Sequence, residues 1–184
     1  LLGAPRERAL EELAGVAAYG AAYRVRPFDA AVDVMSFHCG QSALDEYIHR
    51  YASQDVRRNV ARVLVARPDQ DSRRRAGFFT LSAGSVGCSD LSKSLARRLP
   101  RYPLPVALIG RLAVESEFQR KGLGLILLAD ACPKVVQASA VLAVAGIVED
   151  AKDEFAAAFC ARFGFVRLPG RSDRLLSPAK ALPA

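Results

Sequence analysis

Three consecutive segments in the middle of the chain constrain its fold more than anything else in it. Val106 to Val114 is mostly apolar and bounded by Pro105 and Glu115, and it reads as a buried central strand. The hexapeptide Gln119-Arg120-Lys121-Gly122-Leu123-Gly124 follows, and Leu125 to Ala131 has the composition to begin a helix. A strand that turns through glycines into a helix presents unpaired backbone N–H groups and the positive end of the helix dipole to whatever lies in front of it. Such a turn binds phosphate. Taken alone, the hexapeptide is equally a turn that needs glycine for positive φ; the flanking strand and helix favour the anion site. Neither GxGxxG nor GxxxxGK[ST] occurs, which disfavours the two nucleotide folds that compete for a glycine loop.

The remaining periodicity supplies the frame around this unit. Tyr23 to Phe28 alternates like a strand, and Leu44, Tyr47, Ile48, Tyr51 and Ala52 mark one face of a helix from Ser42 to about Arg58. Ala61 to Ala66 and Ala76 to Ser85 read as a β-hairpin around a charged turn. A short helix over Leu91 to Leu99 precedes Pro100. Val141 to Val148 is expected to be a buried strand, and Asp150 to Phe163 a helix capped by Asp150 and stopped by Gly164. Phe165 to Leu168 and Arg174 to Ser177 are short closing strands. Pro133 lies inside the helix after the glycine turn and predicts a kink, or an end near Ala131.

The order β, α, ββ, β, α, β, α, ββ describes one domain over 23–178, preceded by an extension, 1–22, that is either helical or disordered, and followed by a tail, 179–184. At 51% hydrophobic and 24% charged, the 184 residues have the composition of a packed globular chain. No apolar run is long enough to predict a membrane span, and no secretion signal is read at the N-terminus. Four cysteines without CxxC pairing and two distant histidines give no metal site, and a cytoplasmic protein with reduced thiols is expected. The formal charge is +7, carried by 21 arginines and 5 lysines. Eight arginines lie between Arg50 and Arg75, and Arg97, Arg98 and Arg101 form a second group. Guanidinium forks suit phosphate oxygens, so a polyanionic partner is expected: a nucleotide cofactor, an RNA, or both.

Five stretches in order, FHCGQSALDEY (37–47), AGFFTLSAGSV (76–86), LPRYPLPVALIGRLAV (99–114), FQRKGLG (118–124) and DAKDEFAAAFCARFGF (150–165), resemble the GNAT N-acetyltransferases. The similarity is to the toxin branch that acetylates aminoacyl-tRNA. The resemblance implies an α/β (α+β) GNAT fold: a central mixed, mostly antiparallel twisted sheet flanked by helices. It implies acetyl-CoA as cosubstrate, with backbone groups of Leu112, Ala113 and Val114 toward the pantetheine and acetyl carbonyl. Gln119, Arg120, Lys121, Gly122, Leu123 and Gly124 would hold the pyrophosphate, and Phe159 would line the cofactor site. Arg97, Arg98 and Arg111 fall where the toxins carry basic residues near the acceptor, and are assigned to tRNA phosphates. The implied partners are aminoacyl-tRNA, a ribbon-helix-helix antitoxin and a second copy of the chain, with no membrane.

The implied reaction is attack of a neutral amine on the thioester, with a backbone donor beside Val114 stabilising the oxyanion. In this family a tyrosine in the second helix protonates the leaving thiolate; here that position is Cys160. A thiol is shorter and a weaker donor than a phenol, so reduced turnover is expected, and a small buried hydrophobe is the competing reading of Cys160. Two alternatives stay open: acetylation of a small amine or protein N-terminus, and a weakened remnant that still binds acetyl-CoA.

Overall fold

The computed structural model describes residues 22–29, 34–71, 73–97 and 101–178. The elements are β1 (Tyr23–Pro27), α1 (Ser42–Glu46), a π-helical turn (Tyr47–Tyr51), α2 (Ala52–Arg57), β2 (Arg62–Pro68), β3 (Gly77–Val86), α3 (Lys93–Ala96), β4 (Leu104–Val114), α4 (Leu123–Ser139), β5 (Gly146–Asp150), α5 (Glu154–Ala161), β6 (Val166–Leu168) and β7 (Arg171–Pro178). Single 3-10 turns occupy Cys88–Asp90 and Ser116–Phe118. The sheet has seven strands in the order β1-β2-β3-β4-β5-β7-β6. Strands β4 and β5 are parallel, with Ala107 opposite Ile147, and β1–β2, β2–β3, β5–β7 and β6–β7 are antiparallel. The element order is the one expected, and the sheet is mixed. The N-terminal extension up to residue 21, the tail 179–184 and Arg98 lie outside the described residues.

Contacts group the chain into two compact units. One contains the described residues of 22–82 and 110–131, the other those of 83–109 and 132–178.

In the first unit the core is built from Phe37, Tyr47, Ile48, Ala52, Val63, Val65, Phe78 and Ala113, with Phe37 edge-on to Phe78 at 5.4 Å and Tyr47 stacked on it at 6.1 Å. The helical face differs from the expected one at Tyr51. A π-helical turn inserts a residue, so Tyr47, Ile48 and Ala52 are buried while Tyr51 rotates out to solvent. Gly77 lets β3 lie against β4: a Cβ there would stand 2.8 Å from the Ala113 carbonyl oxygen.

The second unit packs Val86, Leu91, Leu104, Val106, Val148, Leu168 and Leu176 together. Three expectations are corrected here. The strand foreseen over Val141 to Val148 begins only at Gly146. Val141 and Leu142 are 94% and 64% exposed, and their N–H groups bond back to the Ala138 carbonyl, closing α4 instead. The second helix starts at Glu154, not at Asp150. Its cap is Asp153, whose carboxylate accepts the Ala156 N–H at 2.8 Å, while Asp150 ends β5 and holds Arg174 in a two-pronged ion pair at 2.6 and 2.8 Å. The short helix foreseen over Leu91 to Leu99 is a single turn, Lys93–Ala96.

Of the two outcomes expected at Pro133, an end near Ala131 is overturned, since the proline lies inside α4, which runs on to Ser139. Pro133 is exposed, while Leu127, Leu128, Ala131, Cys132 and Val135 around it are buried. A mid-helix proline costs about 3 kcal/mol, and a fully buried leucine contributes about 1.5–3 kcal/mol, so packing on the apolar face carries the helix through.

Candidate functional site

In the first unit, β4 ends at Val114 and a 3-10 turn leads to the glycine turn that opens α4. Gly122 has φ +82 and nothing within 4 Å of where a Cβ would sit, and Arg120 adopts φ +61. Among the described residues the N–H groups of Gly122, Leu123 and Gly124 take no partner; the first bonded ones are Leu125 and Ile126, both to the Gly122 carbonyl. Arg120, Lys121 and Gly122 are exposed and Leu123 is buried. Unpaired amides at the start of a 17-residue helix, with two cations beside them, suit a diphosphate.

Gln119 does something different. Its side-chain amide donates to the Cys39 carbonyl at 2.8 Å and to the Val114 carbonyl at 3.0 Å, and its backbone N–H donates to the Ser116 carbonyl. It braces the turn from behind. Ser116 adds a second brace, donating its N–H and its hydroxyl to the His38 carbonyl at 2.9 and 2.7 Å. Ala113 is buried, and Leu112 and Val114 are half-buried. Arg111 is half-buried, its guanidinium 3.8 Å above the Tyr47 ring.

The braced loop carries a pair absent from the sequence expectations. Asp45, on α1, accepts the Cys39 N–H at 2.8 Å with one carboxylate oxygen, and His38 Nδ1 lies 2.8 Å from the other. Burial opposes the charge on Asp45, but the Cys39 amide and the nearby His38 and His49 outweigh it, and the carboxyl is held below its ordinary range. The signal was present in the motif FHCGQSALDEY, where Gly40, at φ +80, turns the chain so that positions 38 and 45 meet.

The second unit holds two further clusters. Cys160 on α5 donates its thiol to the carboxyl of Glu149 on β5, and both side chains are buried. Burial, reinforced by the adjacent carboxyl, pushes the thiol far above its usual range; burial likewise raises Glu149, with Asp150 adding to the shift. Phe159 is half-buried and edge-on to Phe163 at 5.2 Å. Elsewhere a pocket of about 690 Å³ is lined by Cys88, Ser89, Lys93, Ala96, Arg97 and Arg101. Arg97 is thus placed beside Lys93 and Arg101 rather than alone.

The strand–turn–helix unit, the sheet order and the sequence blocks identify the class: the chain belongs to the GNAT family of acetyltransferases, N-acetyltransferases that use acetyl-CoA. The family model, Acetyltransferase (GNAT) family, matches residues 83–165. Within this class the chain is similar to a tRNA-acetylating toxin of Mycobacterium tuberculosis, 35% identical over 147 residues that make up 80% of this chain and 84% of that protein. It is also similar to the solved structure of AtaT complexed with acetyl-methionyl-tRNAfMet, with TM-score 0.80, 26% identity, and coverage of 86% of this chain and 96% of that one. A tyrosine-to-phenylalanine variant of AtaT, bound to the C-terminus of the antitoxin AtaR and acetyl-CoA, matches with TM-score 0.72 and 25% identity over 86% of this chain and 94% of that one. No helix among the described residues is long and apolar enough to cross a membrane.

Proposed function

We propose that this chain is an acetyl-CoA-dependent toxin that acetylates the α-amine of aminoacyl-tRNA and so blocks translation. The observation that carries the reading is the 35% identity to a tRNA-acetylating toxin across 80% of the chain. The unpaired amides of Gly122, Leu123 and Gly124 support the coenzyme half of it, as the diphosphate cradle, with Arg120 and Lys121 adding charge.

Bound acetyl-CoA supplies an activated acyl group on a thioester. The protein's own residues bind and orient it. The backbone of Leu112, Ala113 and Val114 faces the pantetheine and acetyl carbonyl, where a strand N–H stabilises the developing oxyanion. An α-amine titrates near 7.7–8.0 in model compounds, so part of it is free to attack at neutral pH. Phe159 lines the coenzyme's thiol end, and Cys160 stands where the family's leaving-group acid is carried. Its thiol stays protonated but is already engaged by Glu149, which supports a modest turnover. Arg97, with Arg98 and Arg111, receives tRNA phosphates; Lys93 and Arg101 extend that surface. A ribbon-helix-helix antitoxin and a homodimer complete the assembly we propose, in the cytoplasm.

The test is incubation of the purified chain with labelled acetyl-CoA and a mixture of charged tRNAs, read by mass spectrometry of the released amino acids. Acetylated amino acids are expected. Label on a free amine but on no charged tRNA would overturn the acceptor assignment. Coenzyme binding without transfer to either would favour the second reading, a weakened remnant, which the engaged and buried Cys160 thiol supports.

A further inference from the structure

An imidazole that nothing in the family comparison uses stands on the braced loop beside the end of β4. Its Nδ1 faces Asp45 Oδ2 at 2.8 Å, and that oxygen is buried with no hydrogen-bond partner of its own. The rest of the imidazole is open, the side chain being 72% exposed, and Nε2 takes no hydrogen bond among the described residues. With Nδ1 turned toward the buried carboxylate, Nε2 is the ring nitrogen left facing outward, where it can meet an acceptor. Solvent exposure gives the ring little packing role. The ring nevertheless lies against one buried charge.

The backbone beneath the ring is tied to the reaction frame. Ser116 clamps the His38 carbonyl twice, and one Gln119 amide nitrogen bridges the carbonyls of Cys39 and Val114. The loop is therefore fixed to the strand end where the acetyl carbonyl is proposed to lie. The segments that hold His38 bring further charges. His49, in the π-helical turn, faces the Phe37 carbonyl with Nε2 at 2.9 Å; Glu115 caps the 3-10 turn through the Glu117 N–H; and Glu117 pairs with Arg74.

Building on the acceptor chemistry proposed above, we propose that His38, oriented by Asp45, is the general base that takes the proton from the acceptor amine. The amine nitrogen bonds to the thioester carbon and acquires positive charge; Nε2 of His38 removes one N–H proton. The C–S bond then breaks, the thiolate takes a proton from water, and the imidazolium returns its proton to the hydroxide so formed. One proton leaves nitrogen and one reaches sulfur, so amine and thioester become amide and thiol with nothing left over.

The experiment compares the wild-type chain with His38→Asn, whose amide can still face Asp45 but cannot take a proton. Single-turnover acetylation of charged tRNA is followed from pH 5.5 to 9, and acetyl-CoA affinity is measured by titration. Loss of a positioned base costs about 10²–10⁴-fold in rate, and the low end is expected here because part of the amine is already free. Acetyl-CoA affinity should not move. The shape of the rate profile against pH should change, and added free imidazole should restore part of the rate. An unchanged rate and profile would overturn the proposal, as would a parallel loss of rate and coenzyme affinity without imidazole rescue, which marks a structural role. If the wild type modifies no charged tRNA, the acceptor reading fails by itself. The same pair compared on a small primary amine then still decides the role of the imidazole.

Discussion

The two compact units each bury a carboxyl of nearly equal accessibility, Asp45 at 6% and Glu149 at 8%, and shift them in opposite directions. Asp45 sits directly beneath an exposed imidazole, with a backbone N–H on one oxygen and a ring nitrogen against the other, and stays charged. Glu149 lies between β5 and α5 with a thiol as its donor and Asp150 next to it in the chain, and its proton is held more tightly than usual. A thiol is a weak donor, and an amide next to an imidazole is not. Surface area covered does not set the charge state; depth and the donors available do. In the unit with the glycine turn the buried carboxyl is held below its ordinary range, and in the other unit it is held above.

The sharpest way to break this contrast is Asp45→Ala. It orphans the Cys39 N–H and removes the counter-charge of His38, at a cost of about 3 kcal/mol, read as a lower urea midpoint with unchanged slope. Because the folded value lies below the ordinary 3.8, the contribution of Asp45 is present above that pH and is lost as pH falls through the folded value. The variant should therefore flatten the acid limb of stability.

Glu149→Leu should act with the opposite sign. The folded value of Glu149 lies above 4.5, so its contribution is present below that pH and is lost as pH rises through the raised value. The leucine variant is expected to gain about 1–2 kcal/mol at pH 8 and less at pH 4. A loss at pH 8 would mean that the carboxylate is better partnered than its thiol contact suggests.

The smallest expected effect is at Arg111→Met, in the unit that holds Asp45. Removing the cation above Tyr47 costs about 1 kcal/mol. Burial first, with Asp55, pushes the Tyr47 phenol up to about 12, and Arg111 pulls against them, so the variant should titrate higher still by ultraviolet absorbance.

The strand, glycine turn and helix were legible because each depends on neighbours in sequence: an apolar run, positive-φ positions and an amphipathic restart. Non-local competition hid the rest. Val141 and Leu142 look like strand residues, but no strand pairs with them. Asp150 and Asp153 both precede the same apolar run, and Arg174 on β7 decides which one caps it. The π-helical turn and the passage of α4 through Pro133 depend on which side chains the core accepts. His38 with Asp45 in one unit, and Glu149 with Cys160 in the other, meet only when a loop or a β-α connection closes, and spacing alone does not single them out. The role of Gln119 as a brace was hidden for the same reason, because both of its acceptors are backbone atoms.

That brace makes one side-chain nitrogen a structural hostage. Gln119 holds two carbonyls with a single NH₂ group. Hydrolytic deamidation to glutamate, a form of chemical ageing, would set an anion against both oxygens and push the loop bearing His38 away from the strand end. The fold would survive this change while the position of the His38 loop against the strand end would not, so the role proposed for His38 would be lost before the structure is.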